Sequence, residues 1–198
     1  MSLAHDRGRI GPNAVIRVAE ALRQVEGQQT LNRVFVSAGL AAYLRHPPQE
    51  MVDEREVAAL HRVLHATLGD ERARAIGWLA GQRTGDYLLR HRIPRSAQLV
   101  LGCLPSGAAS RLLMTAMARH AWTFAGTGRF SVRPGRPVIL SIAGCPICRG
   151  AVSDRPLCDF YAATFQRLFA RLVQSRTRVT ETGCQAMGES ACVFCVDW

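Results

Sequence analysis

Six of the seven cysteines in this chain lie beyond residue 144, and their spacing allows three kinds of chemistry. Cys145-x-x-Cys148 and Cys192-x-x-Cys195 together have the form of a four-cysteine zinc ribbon. Cys145-Pro-Ile-Cys148 alone has the form of a thioredoxin-type redox dithiol. Cys158, Glu181, Cys184 and Cys192 form a third set, three thiolates and a carboxylate that can close a zinc tetrahedron and leave no position for a substrate. Such a site is structural. The plain alternative for each residue is a small buried side chain with no metal.

The elements that must carry these residues discriminate among the sets. If Val193 to Asp197 is a strand, Cys192 and Cys195 point to opposite faces and share a metal only if the strand breaks between them. A redox dithiol needs a helix N-terminus directly after a strand, and here Gly150 and Pro156 intervene before the next helix. The third set suits its surroundings. The spacing predicts a helix from about Arg155 to Val173, with Cys158 in its first turn and Asp154 as cap, where the helix dipole favours a thiolate. Glu181 and Cys184 fall where a strand (Arg176 to Gly183) turns into the closing loop. Cys192 then begins the returning strand (Ala191 to Asp197).

Upstream, the chain reads as helices. Gly11-Pro12 opens the first, with Val15, Val18, Ala19 and Leu22 on one face. A second is expected from Leu31 to Leu44, and a third from Glu54 to Leu68, ended by Gly69. Asp70 is placed to cap a fourth that reaches about His91. A short piece follows Pro94, and another helix runs from Ser106 to about Phe124. The period then changes to alternation at Phe130 and Val132, a Pro134-Gly135 turn and a buried-strand run from Val138 to Ile142. Helices first and strands later is an α+β order in a single domain, with a helical N-terminal part over residues 1–122 and the sheet-bearing part over 123–198.

At 198 residues the chain is long enough for one substantial core, and its 48% hydrophobic and 20% charged residues place it in the globular class. No apolar run reaches the roughly 18 residues of a transmembrane helix. Met1 to Ile10 carries Asp6, Arg7 and Arg9 without an apolar core, which does not match a signal peptide. With no secretory signal and an odd number of cysteines, a reducing cytoplasm is expected and a disulfide framework is not. The net charge of +10 comes wholly from arginine, since the chain has no lysine. These arginines are spread along the helices and not gathered with aromatics, so nucleic acid ranks below an anionic ligand, an acidic protein or a membrane surface as a partner.

Glu181-x2-Cys184-x7-Cys192-x-Phe194, with Gly188 in the loop and Cys158 upstream, resembles the signature of the 4-vinyl reductase domain family over roughly Thr123 to Val196. Zinc-binding members of that family use a Cys, a Glu and two further Cys in this order, so the resemblance implies Zn2+ on Cys158, Glu181, Cys184 and Cys192. It also implies a fold of helices packed with an antiparallel sheet, similar to subunits of vesicle-trafficking complexes, that encloses a hydrophobic ligand and commonly dimerises. Arg9-Ile-Gly-Pro-Asn-Ala14 at the other end resembles the bacteriochlorophyll-biosynthesis members of the family, named as 4-vinyl (8-vinyl) reductases of divinyl protochlorophyllide or chlorophyllide.

The resemblance implies a cytoplasmic protein, at most peripheral to the photosynthetic membrane, with the magnesium chelatase large subunit and the magnesium-protoporphyrin methyltransferase as partners. Reduction of a vinyl group needs a nicotinamide, flavin or iron–sulfur cofactor. The glycine cluster Gly126-Thr-Gly128 lies between a helix and a strand, the wrong order for dinucleotide binding. Cys103, Cys145, Cys148 and Cys195 match no common iron–sulfur spacing. The favoured expectation is therefore a protein that binds and delivers a magnesium porphyrin. The alternatives are a reductase with an external electron donor and a small-molecule sensor. Candidate ligand residues are His120 as an axial ligand, Trp122 for stacking, and Arg111 and Arg119 for carboxylates. Trp78 and Tyr87 read as core.

Overall fold

The pattern of apolar stripes followed by alternation becomes, in the computed structural model, a set of helices packed on one antiparallel sheet; the structure describes residues 8–198. The reading of charge at Asp6 and Arg7 lies outside the described residues. A short strand β1 (Arg9–Ile10) pairs antiparallel with β2 (Val52–Asp53). Between them runs α1 (Asn13–Ser37), interrupted at Gly27, with Val15, Val18, Leu22, Leu31, Val34 and Phe35 buried. The helix expected over Leu31–Leu44 instead ends at Ser37. Gly39, at φ 75°, takes the left-handed turn that a side chain would oppose. Leu40 then donates back to the Phe35 carbonyl at 2.8 Å and Gly39 to Val36 at 3.0 Å, the paired closure of a Schellman motif. Ala41–Leu44 follows as a 3-10 turn.

Helix α2 (Glu54–Leu68) starts and stops where expected, with the Asp53 side chain accepting from the Arg55 N–H at 2.9 Å. Asp70 does not cap α3 (Asp70–His91). It is the first residue of that helix, Gly69 occupies the cap, and the Asp70 carboxylate instead meets His65 Nδ1 at 2.9 Å. Two shorter helices, α4 (Arg95–Cys103) and α5 (Ser106–Arg119), come next. The helix expected to reach Phe124 is broken at His120, and α6 (Trp122–Ala125) adds a single turn.

Strands β3 (Arg129–Arg133), β4 (Val138–Ala143), β5 (Arg178–Gly183) and β6 (Cys192–Asp197) form a fully antiparallel sheet in the order β3-β4-β6-β5. Helix α7 (Asp159–Leu172) covers one face of it. Tyr161 and Phe165 on that helix stack at 5.9 Å between ring centres, and Phe124, Phe130 and Phe194 close around them edge-on or tilted. The Tyr161 hydroxyl, deep in this cluster, donates to the Phe124 carbonyl at 2.5 Å, so burial of its polar end is compensated.

The other side of α7 meets α3 at close range because α3 presents Gly77, Gly81 and Gly85, one glycine per turn. A Cβ on Gly81 would stand 2.2 Å from the Phe160 carbonyl oxygen and 2.8 Å from Ala163 Cβ. Thr164 Oγ1 donates to the Gly81 carbonyl at 3.1 Å, and ion pairs Arg74–Asp159 (2.9 Å) and Arg167–Asp86 (2.6 Å) flank the seam. Gly81→Ala is expected to force these helices apart and cost about 1–3 kcal/mol, the usual range for overpacking. Urea denaturation should show a lower midpoint at unchanged slope. A midpoint equal to that of the parent would mean the seam is looser than these distances say.

Candidate functional site

Helix α7 begins one turn later than its apolar stripe suggests, and that shift builds the site. Arg155 precedes Pro156 and is therefore biased away from helical angles. Asp154 is exposed and pairs with Arg155, so it caps nothing. Cys158 becomes the residue before the helix, and its backbone N–H, one of the unpaired donors of a helix start, is taken by Glu181 Oε2 at 2.7 Å. A carboxylate from β5 thus does the capping from across the fold.

Residues three apart on a regular strand face opposite ways, so Glu181 and Cys184 need an irregularity to converge. A bulge supplies it. Glu181 is opposite Phe194 while Gly183 is opposite Val193, which leaves Thr182 as an inserted residue. Cys192 lies on the buried face of β6 with Phe194 and Val196, whereas Cys195 lies on the other face, as strand alternation requires. Cys158, Glu181, Cys184 and Cys192 consequently bring one ligand atom each within 4.8 Å of one another. Cys192 Sγ is 3.8 Å from Cys184 Sγ and 3.5 Å from Cys158 Sγ.

Two more thiols enter the same space. The loop after β4 turns at Gly144 and Gly150, both at φ 72°, where only glycine is unstrained, and sends Cys145 and Cys148 inward. Cys145 Sγ lies 3.5 Å from Cys158 Sγ, and Cys148 Sγ 3.3 Å from Cys192 Sγ. Cys145, Cys148, Cys158 and Cys192 form a second group whose ligand atoms all lie within 4.8 Å. Gln185, next to Cys184, accepts from the Cys145 N–H through its side chain at 2.6 Å. Arg149 anchors the loop from outside. It pairs with the buried Glu54 at the start of α2 and donates to the Gly144 carbonyl at 2.8 Å. Burial would raise the Glu54 carboxyl, but hydrogen bonds from Thr127 and Arg149 outweigh it and hold it below its ordinary value.

The donor chemistry fits a zinc-class metal. Glu181 Oε1 is buried and has no hydrogen-bond partner, and burial with Cys184 alongside pushes its carboxyl up to about 9. A carboxyl so placed keeps its proton unless a cation compensates the buried charge. Burial likewise pushes the Cys158 thiol well up. Five sulfurs and one oxygen, soft and borderline donors, suit zinc rather than magnesium or calcium. Of the residues in the competing sets, Cys103 is exposed at the end of α4 and Cys195 is half-buried away from Cys192, so neither joins the cluster.

The four ligand candidates read from the sequence stand elsewhere. His120, Trp122, Arg111 and Arg119 lie on or just beyond α5, away from the cluster, and Trp122 is 60% exposed. Arg111 lines a hollow of about 420 Å³ with Met114, Arg136 and Trp198. Trp78 and Tyr87 are half-buried, Trp78 against the core. A larger cavity of about 590 Å³ adjoins the thiol loop, lined by His61, Arg62, His65, Asp70, Ile147 and Leu157 among others. His61 is 3% exposed, its Nε2 is buried without a partner, and burial together with His65 pushes its pKa down to about 3. Its sequence signal was the His61-x3-His65 spacing on one face of α2, which sequence reasoning passed over.

Residues 138–197 match the model of the 4-vinyl reductase domain family. The chain is 42% identical to the bacteriochlorophyll synthase 23 kDa chain of Cereibacter sphaeroides, over 98% of this chain and 91% of that one. It is 38% identical to the protein of the same name from Rhodobacter capsulatus, over 96% and 87%. Among solved structures, the fold is similar to one from work on heme distortion in the H-NOX family, with a TM-score of 0.59 and 13% identity over 94% of each chain. At that identity the likeness is one of fold.

His61 gives the site a pH signature. The unfolded chain binds a proton on this imidazole below about pH 6.5, while the folded chain resists it until about pH 3. Stability from this group is therefore complete above about pH 6.5 and falls by roughly 1.4 kcal/mol per unit as the pH drops toward 3. Urea midpoints measured between about pH 7 and 5 should decline less steeply in His61→Gln than in the parent. Identical slopes would show that His61 does not stay neutral.

Proposed function

The chain belongs to the family of the bacteriochlorophyll synthase 23 kDa chains, and from that membership we propose that it serves bacteriochlorophyll biosynthesis by binding and delivering a magnesium porphyrin. The observation that carries the ligand site is His61, a buried neutral imidazole with an unpartnered nitrogen on the wall of a 590 Å³ cavity. That volume lies within the roughly 300–1,000 Å³ of small-molecule sites. A neutral imidazole has the lone pair that an axial magnesium ligand needs, and an imidazolium does not. Ile147, Val152 and Leu157 offer apolar surface to a flat macrocycle, and the exposed Arg62 offers a guanidinium to a carboxylate at the rim. The H-NOX likeness supports the same reading, since a fold of this kind is the setting of the heme distortion named there.

Zinc on Cys158, Glu181, Cys184 and Cys192 belongs to this proposal as a structural crosslink. It would tie the start of α7 to β5 and β6 through a filled tetrahedron with no vacancy for substrate. The magnesium chelatase and the methyltransferase that follows it are proposed as the donor and acceptor of the porphyrin. Among the described residues no helix is long and apolar enough to cross a membrane.

Titration of the purified protein with divinyl magnesium protoporphyrin should give a saturable Soret shift. In His61→Gln the dissociation constant should rise about tenfold or more, a loss of about 1.4 kcal/mol or above. Absence of saturable binding refutes the carrier reading. Reduction of the vinyl group by this protein and NADPH alone would make it a reductase. For the zinc, Cys184→Ala is expected to lower the thermal midpoint of the whole domain and to lose bound metal on gel filtration. Normal stability with normal metal content would refute the structural site.

A further inference from the structure

We propose that the thiol cage binds two zinc ions, with Cys158 and Cys192 bridging them. One ion would take Cys145, Cys148, Cys158 and Cys192, and the other Cys158, Glu181, Cys184 and Cys192. The inference rests on the zinc reading of the second set and adds an ion that this set alone does not call for.

Three observations point this way. The first is count. Six donors converge in one buried space, and a tetrahedral zinc uses four. The two groups share one edge, Cys158–Cys192, so they describe two tetrahedra joined along it. The second is distance. A zinc–sulfur bond of about 2.3 Å implies sulfurs about 3.8 Å apart along a tetrahedral edge. The observed separations of 3.3 to 3.8 Å, including 3.5 Å on the shared edge, lie close to that. An iron–sulfur cluster interposes sulfide between its irons and would hold the cysteine sulfurs farther apart.

The third observation is construction. Cys145 and Cys148 are 1% and 2% exposed and are delivered by a loop pinned at several points. Gly144 and Gly150 set its turns, Gln185 holds the Cys145 N–H, and Arg149 locks its outer side to Glu54. Charge agrees with the count. Six ionised donors around one zinc would leave a net charge of about −4 in a buried site, whereas two ions reduce it to about −2. On binding, the thiols and the Glu181 carboxyl release their protons to solvent, and no electron transfer is involved.

The test uses the full chain purified anaerobically without chelator. Native mass spectrometry and elemental analysis should find about two zinc ions per chain, falling to about one in Cys145→Ser/Cys148→Ser with the circular dichroism spectrum retained. Cobalt(II) reconstitution of the parent protein gives a second readout that needs no variant. The paramagnetic resonance signal per cobalt should drop by half or more between the first and second equivalents, because thiolate-bridged ions couple. One zinc per chain with a cobalt signal that does not fall at the second equivalent overturns the two-ion site and leaves the single structural zinc standing. Iron with acid-labile sulfide, or no metal at all, overturns both.

Discussion

Negative charge that must be buried at one point is the constraint on which this fold turns. Five thiols and a carboxyl come from the loop after β4, the start of α7, the end of β5 and the start of β6, a stretch that runs from Cys145 to Cys192. Protonated, these groups are a cluster of weakly bonded sulfurs around a carboxylic acid with one oxygen unpaired. Ionised, they repel one another unless cations sit among them. Either way the four segments cannot be placed independently. The helix start borrows its cap from β5, and the loop borrows its backbone partner from Gln185 beside Cys184, so each donor is positioned by a residue adjacent to another donor.

The remainder of the molecule holds that junction in place from behind. The α3–α7 seam depends on three glycines and is closed at its edges by arginine–carboxylate pairs over separations of more than 80 residues. Arg72 reaches Glu26 on α1 in the same manner. The all-arginine composition thus contributes planar, directional contacts between helices as well as net charge. On the sheet side, the aromatic cluster around Tyr161 and Phe165 fixes the rotation of α7, and with it the position of Cys158 at its tip.

Much of this was legible in the residues. The stripes of α2 and α7, the β3–β4 hairpin and the pairing of Glu181, Cys184 and Cys192 with Cys158 follow from period, spacing and the family signature. The opposition of Cys192 and Cys195 followed from strand alternation alone. What escaped was set by contacts distant in sequence. Cys145 and Cys148 join the cluster because of two left-handed glycines and an arginine that reaches back to Glu54, none of which a spacing rule encodes. The start of α7 moved because a carboxylate from β5 outcompeted Asp154 for its first N–H. His61 was hidden in an apolar stripe, where a histidine reads as surface until its neighbours are known.

The wall shared by the cavity and the thiol cluster has a thermodynamic consequence. Ile147 lies between Cys145 and Cys148, and Leu157 immediately precedes Cys158, yet both face the 590 Å³ cavity. A guest that displaces this wall also displaces metal ligands, and a metal that tightens the ligands reshapes the wall. Such coupling is reciprocal: whatever factor the metal adds to the guest's affinity, the guest must return to the metal's. A protein arranged in this way can report the filling of one chamber through the firmness of the other, with Ile147 and Leu157 as the common partition.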